Sequence, residues 1–222
     1  MFIKNIGNLI KQHIINNILS YILLFCTFVA GIAAGAFTVN GLSEVQNEEL
    51  IHYFYGFIEF LKSQNVEKSI VFYQSLVTNF KIIFAIWFLG VTVIGIPLIF
   101  VLIAIKGFIT GFSIGFLINC INFNGLIFSI VSILPREIII TPCLFGLAVC
   151  GINFSLMIVK SRSKKSYFRH NLKVDFIAYN FLTAIYSLLA IVGIMTETYC
   201  GTIVTKNIIP LYINIAYLNI LC

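Results

Sequence analysis

The sequence predicts an all-α fold: a polytopic helical membrane protein with about five transmembrane helices, an amphipathic extracytoplasmic hairpin and a re-entrant segment. Three observations carry this. The 222 residues are 60% hydrophobic and only 10% charged, whereas a soluble domain is about 25% charged. Between Lys81 and Lys160 the only charges are Lys106, Arg136 and Glu137, and a spanning helix needs about 20 consecutive apolar residues. The net charge of +6 comes from basic residues that flank apolar segments. That placement sets membrane topology and argues against nucleic-acid binding. A single integral-membrane domain over residues 1–222 follows.

Residues 1–16 carry Lys4, Lys11 and His13 without an acid, and Ile3, Ile6, Leu9, Ile10 and Ile14 recur at helical spacing. They predict a short helix on the cytoplasmic leaflet. The first span covers about 18–39. Ala34-Gly35-Ala36 resembles a cleavage site, but the apolar run from Asn17 to Val39 outlasts a signal core of about 7–15 residues, so it is read as an uncleaved helix. Gly31, Ala34, Gly35 and Ala36 offer close approach to a second helix.

The polar segment 40–80 is predicted as an outward hairpin of two amphipathic helices. Ser43 and Gln46 have capping-box spacing. Leu50, Ile51, Phe54, Phe57, Ile58 and Leu61 share one face, with Glu48, Glu49, His52 and Glu59 mostly off it. After Ser63-Gln64-Asn65, Val66, Ile70, Tyr73, Val77 and Phe80 are again in register. The hairpin either caps the bundle or offers a docking face. In the second case Glu48, Glu49, His52, Tyr53 and Glu59 are the candidate partner-binding residues.

A second span is expected over 81–105, bent near Gly95 and Pro97 because proline removes a helical hydrogen bond. Lys106 marks its end. The third, 107–121, carries Gly107, Gly111 and Gly115 at i, i+4 and i+8, a helix-packing seam. Asn119, Asn122 and Asn124 suggest a loop, and 125–134 is apolar but too short to cross. It reads as a re-entrant or interfacial segment, ending at Pro135-Arg136-Glu137. The fourth span is 138–159, with Pro142 in its first turn. The loop 160–173 holds Lys160, Arg162, Lys164, Lys165, Arg169 and Lys173 and no acid, a cytoplasmic signal. The fifth span is 176–196, and the tail 201–222 reads as an interfacial helix. With N-terminus and basic loop both cytoplasmic, four crossings separate them, and 40–80 faces outward.

No cofactor, metal site or catalytic activity is expected. Gly111-Phe112-Ser113-Ile114-Gly115 matches GxSxG, but that motif needs a strand-turn-helix elbow. The histidines, His13, His52 and His170, all lie outside the spans and offer Ser113 no base. Cys26, Cys120, Cys143, Cys150, Cys200 and Cys222 show no CxxC spacing and read as structural thiols; pairing of Cys200 with Cys222 stays open. Lys106, Arg136 and Glu137 fall at the predicted span ends and read as membrane-interface charges. A scaffold and a small channel or transporter with a glycine-lined helix are the two functional readings.

Three stretches narrow the choice: GIAAGAFTVNGLS at 31–43, WFLGVTVIGIPLIFVLIAIKGFITGFSIGFL at 87–117 and NGLIFSIVSILPREIIITP at 124–142. With TETYCGT at 196–202, they resemble the stage II sporulation protein M family of endospore-forming bacteria. Trp87, Gly90, Gly95, Pro97, Lys106, Gly107, Gly111 and Gly115 keep the family's order. Arg136-Glu137 departs from a position that is often uncharged there. The resemblance implies a multi-pass cell-membrane protein without catalytic activity, enriched at the sporulation septum. It implies a scaffold that anchors the peptidoglycan-remodelling stage II sporulation proteins D and P during engulfment. Lipid is the other expected partner, nucleic acid is not, and a homo-oligomer stays open.

Overall fold

The computed structural model describes residues 14–63, 68–121, 123–163 and 172–207. Expectations for the N-terminal segment, the middle of the basic loop, the end of the tail, and the side chains of Glu59 and Cys200 lie outside the described residues, as does Cys222. Among the described residues the fold is all-α and contains no strand. The helices are α1 (Ile18–Asn40), α2 (Glu44–Ser63), α3 (Lys68–Gly90), α4 (Gly95–Ile121), α5 (Phe123–Ser132), α6 (Leu134–Ser163) and α7 (Leu172–Asn207). Five of them, α1, α3, α4, α6 and α7, are long and apolar enough to cross a membrane.

Three boundaries differ from the sequence reading. The expected span 81–105 is divided, since α3 ends at Gly90 and a turn over 91–94 leads into α4. Pro97 therefore stands in the first turn of α4 and kinks nothing. Its missing N–H falls among the amides that lack an intrahelical acceptor in any case. Gly95 is required by close approach, because a side chain there would strike the Leu89 carbonyl. The second amphipathic stretch, expected as a separate helix before Lys81, is the first half of α3. Nor does Lys106 end a helix: α4 runs unbroken from Gly95 to Ile121, so 107–121 is no crossing of its own.

The segment 125–134, read as re-entrant or interfacial, forms the first leg of a long broken helix. Gly125 packs on the backbone of Leu117 and Ile118, and Glu137 meets Lys106. Advancing along α5 and α6 thus retraces α4 nearly residue for residue. The Ile133 amide bonds to the Ser129 carbonyl at 2.8 Å and the Glu137 amide to the Ile133 carbonyl at 3.1 Å, which carries helical bonding across the joint. Pro135, with no N–H to give, explains why the joint is there.

Interhelical contacts fix the directions. Phe28, Ile32 and Ala36 of α1 meet Gly107, Gly111 and Gly115 of α4 in the same order, so the two helices are parallel. Asn153 Nδ2 donates to Asn17 Oδ1 at 3.0 Å, and Ser155 Oγ donates to the Thr92 carbonyl at 2.8 Å. The start of α1 and the α3–α4 turn therefore lie beside the C-terminal half of α6. Gly146 packs on Tyr186 and Gly193 on Ile139 and Ile140, which makes α7 antiparallel to α6. The end of α6 and the start of α7 share one end of the bundle, and Asn40, which leads into α2, lies at the other. The core between them is aliphatic: Leu24, Ile86, Ile99, Ile103, Ile140, Leu144, Leu147 and Val149 are all buried.

Candidate functional site

Three features stand out from the lipid-type packing: a glycine seam, a buried ion pair and an outlying helix. The seam joins α1 and α4. Side chains at Gly31 or Gly35 would collide with the α4 backbone at Ala104 and Phe108, and at Gly107 or Gly111 with the α1 backbone at Phe28 and Ile32. A carbon at Gly115 would lie 3.2 Å from Ala36 Cα. Small residues on both partners let the backbones touch, and in lipid such contact drives helix association because apolar burial gives no advantage there. The stripe that a channel reading would line with glycine faces α1. Of the four small residues noted on α1, Gly31 and Gly35 are buried in the seam, Ala36 is half-buried and Ala34 is exposed.

The ion pair is a correction to the interface-anchor reading. Lys106 lies eleven residues past Gly95 and fifteen before Ile121, near the middle of α4. Its side chain is 7% exposed and that of Glu137 10%. Lys106 Nζ donates to Glu137 Oε1 at 2.8 Å. Arg136 donates to the same oxygen from Nε at 3.3 Å and Nη2 at 3.0 Å, and Thr141 Oγ1 donates to Oε2 at 2.8 Å. Both carboxylate oxygens are thus satisfied by charge-assisted or hydroxyl bonds. A charge inside an apolar bundle demands this, since an unpaired one costs several kcal/mol, about 2.5–3.5 on insertion scales. Arg136, with its side chain 28% exposed, sits at the rim of the cluster. Glu137 reaches Lys106 because α5 and the start of α6 run back along α4. The sequence picks out all three charges. It does not reveal the pairing, because 31 residues and a reversal of chain direction separate the partners.

A hydrogen-bonded knot near the α3–α4 turn escaped the sequence reading. Trp87 Nε1 donates to Asn180 Oδ1 at 3.0 Å, and the Tyr179 hydroxyl donates to the Trp87 carbonyl at 3.1 Å. Tyr179 also stacks on Phe154, ring centroids 5.0 Å apart. The one available signal was an isolated asparagine and tyrosine inside an apolar helix, where a polar group needs a partner. GxSxG receives its structural account here: Ser113 Oγ donates to the Ile109 carbonyl at 2.8 Å within α4, so the motif lies on a helix and not in an elbow.

The outlying element is α2. Its N-terminus is closed by the expected capping box, with the Ser43 amide on Gln46 Oε1 at 3.1 Å and the Gln46 amide on Ser43 Oγ at 3.4 Å. Among the described residues no extensive packing joins it to another helix. Glu48, Glu49, His52 and Tyr53 are exposed, Tyr53 by 75%.

The family model for Stage II sporulation protein M matches residues 9–201. The chain belongs to that family. The match spans α1 through most of α7, so the seam, the ion cluster and α2 all fall inside it. With its five apolar helices the chain is a multi-pass, sporulation-related membrane protein. No curated protein and no solved structure matches it.

Proposed function

We propose that this protein is a non-catalytic membrane scaffold of the sporulation engulfment complex. It anchors in the cell membrane, enriched at the septum, and recruits the peptidoglycan-remodelling stage II sporulation proteins D and P. The observation that carries this reading is α2: a capped, amphipathic helix at the bundle end opposite the C-terminus of α6, with Glu44, Glu48 and Glu49 exposed. The exposed Glu48, Glu49, His52 and Tyr53 give α2 an acidic surface with an aromatic ring, which suits a protein partner on the outer side.

The test is charge reversal. Replacing Glu48 and Glu49 with lysine together leaves the bundle untouched, because both side chains are exposed. The expected result is normal membrane abundance with loss of septal foci of a fluorescent fusion to protein D or P. Unchanged foci at normal abundance would remove α2 as the docking element.

A further inference from the structure

We infer that the α3–α4 turn, residues 91–94 with the adjoining Leu98, is a lipid-contacting tip held in the membrane leaflet at the α6 C-terminal end and not a water-exposed loop. The inference rests on the chain spanning a membrane and is independent of any partner recruitment.

The first observation is the turn's chemistry. No charged residue lies between Lys81 and Lys106. Val91, Val93, Ile94 and Leu98 are exposed, Ile94 by 71%. A four-residue connection between two helices in water is ordinarily polar, and this one presents mainly branched aliphatics.

The second is its backbone. Irregular backbone near hydrocarbon needs partners supplied by the protein, because no water can bond it there. Here the Val91 amide bonds to the Phe88 carbonyl at 3.2 Å, the Thr92 amide to Leu89 at 2.9 Å and the Gly95 amide to Thr92 at 3.2 Å. Thr92 Oγ1 donates to the Leu89 carbonyl at 2.8 Å. Ser155 Oγ, itself fully buried, donates to the Thr92 carbonyl, and the Tyr179 hydroxyl reaches the Trp87 carbonyl. Pro97 adds no amide. Two neighbouring helices thus contribute hydroxyls to carbonyls that water would bond at no cost in an open loop.

The third is depth. Thr92 is level with Ser155, and α6 continues eight residues further to Ser163, about 12 Å at 1.5 Å per residue. α7 begins seven residues before Tyr179, which packs on Gly90. Exposed apolar residues continue on both helices past that level, at Leu156 and Val159 and at Val174 and Ile177. The turn is therefore recessed behind the ends of its neighbours and is continuous with their apolar belt.

The test uses purified protein in phosphatidylcholine vesicles, with no other protein present. Ile94→Trp is a mild change at an exposed apolar position, and Trp87 is the single native tryptophan, so the added emission is the difference from wild type. Val93→Trp serves as a second reporter, and Gly56→Trp on α2 as a comparison. The inference expects the added emission at 94 and 93 to be blue-shifted, to lose most of its intensity in vesicles with brominated acyl chains, and to be unaffected by aqueous iodide. Iodide quenching at both positions, with no response to brominated chains, would overturn it. So would protection from both quenchers, which would mean that protein and not lipid covers the turn.

Discussion

Lys106 and Glu137 form the feature whose energetics are most exposed to a single substitution. Each is buried and each is the other's main compensation. Removing one partner of a buried pair costs about 3–5 kcal/mol, because a charge is stranded, whereas replacing both with apolar residues of similar volume is often neutral or better. Lys106→Met and Glu137→Met should each cut the yield of folded protein in detergent sharply, with Glu137→Met the worse, since it strands the more buried Lys106 whereas Lys106→Met leaves Glu137 with Arg136 and Thr141. The double variant should recover most of the loss. The measurement is thermal unfolding of the four proteins side by side, and equal loss in the double variant would mean that the pair contributes more than mutual neutralisation. At this scale the sequence was partly legible. A lysine and a glutamate in an apolar run stand out, and both were found. Their reading as interface anchors failed because a charge looks like a helix end until its partner is known. Trp87, Asn180 and Tyr179 were illegible for the same reason, being ordinary residues whose role comes from neighbours about ninety positions away.

Among the elements, α1 and α4 are the pair whose contact is set by what their residues lack. Gly111 places its α-carbon against the Ile32 backbone, so Gly111→Leu forces the two helices apart. Overpacking costs about 1–3 kcal/mol even where side chains can give way, and here the obstacle is backbone. Gly56→Leu on α2 meets nothing within 4 Å and is the matched control. The expected outcome is poor membrane accumulation for Gly111→Leu and wild-type accumulation for Gly56→Leu. A stable Gly111→Leu protein would contradict the seam. The i, i+4, i+8 spacing already placed these glycines on one stripe, and Gly31 and Gly35 supplied a second, so the faces were legible while the pairing and its parallel sense were not. The Ser43–Gln46 cap was legible in full, being local. The division at 91–94 was not. Gly95 and Pro97 suit a kink within one helix as well as the start of another, and only the packing of the turn against Ser155 and Tyr179 favours the second.

For the whole molecule, direction matters more than any contact. The glycine register makes α1 and α4 parallel, the retraced path makes α5–α6 antiparallel to α4, and α7 returns along α6. Together these put α2 and the C-terminus of α6 at opposite ends of the bundle. The parity argument from basic residues reaches the same arrangement with different span boundaries, since moving the break from Lys106 to the 91–94 turn leaves the number of crossings unchanged. The scaffold proposal depends on it: α2 can gather partners in the wall space only if it lies across the membrane from the basic segment after α6. The direct measurement is sided labelling in intact cells. A single cysteine at Val45, just inside α2, or at Lys165, in the basic segment, is introduced into a chain whose six native cysteines are alanine, and a membrane-impermeant maleimide is applied from outside. The account predicts labelling at 45 in intact cells and at 165 only after the membrane is opened. Labelling of both positions from the same side would contradict it.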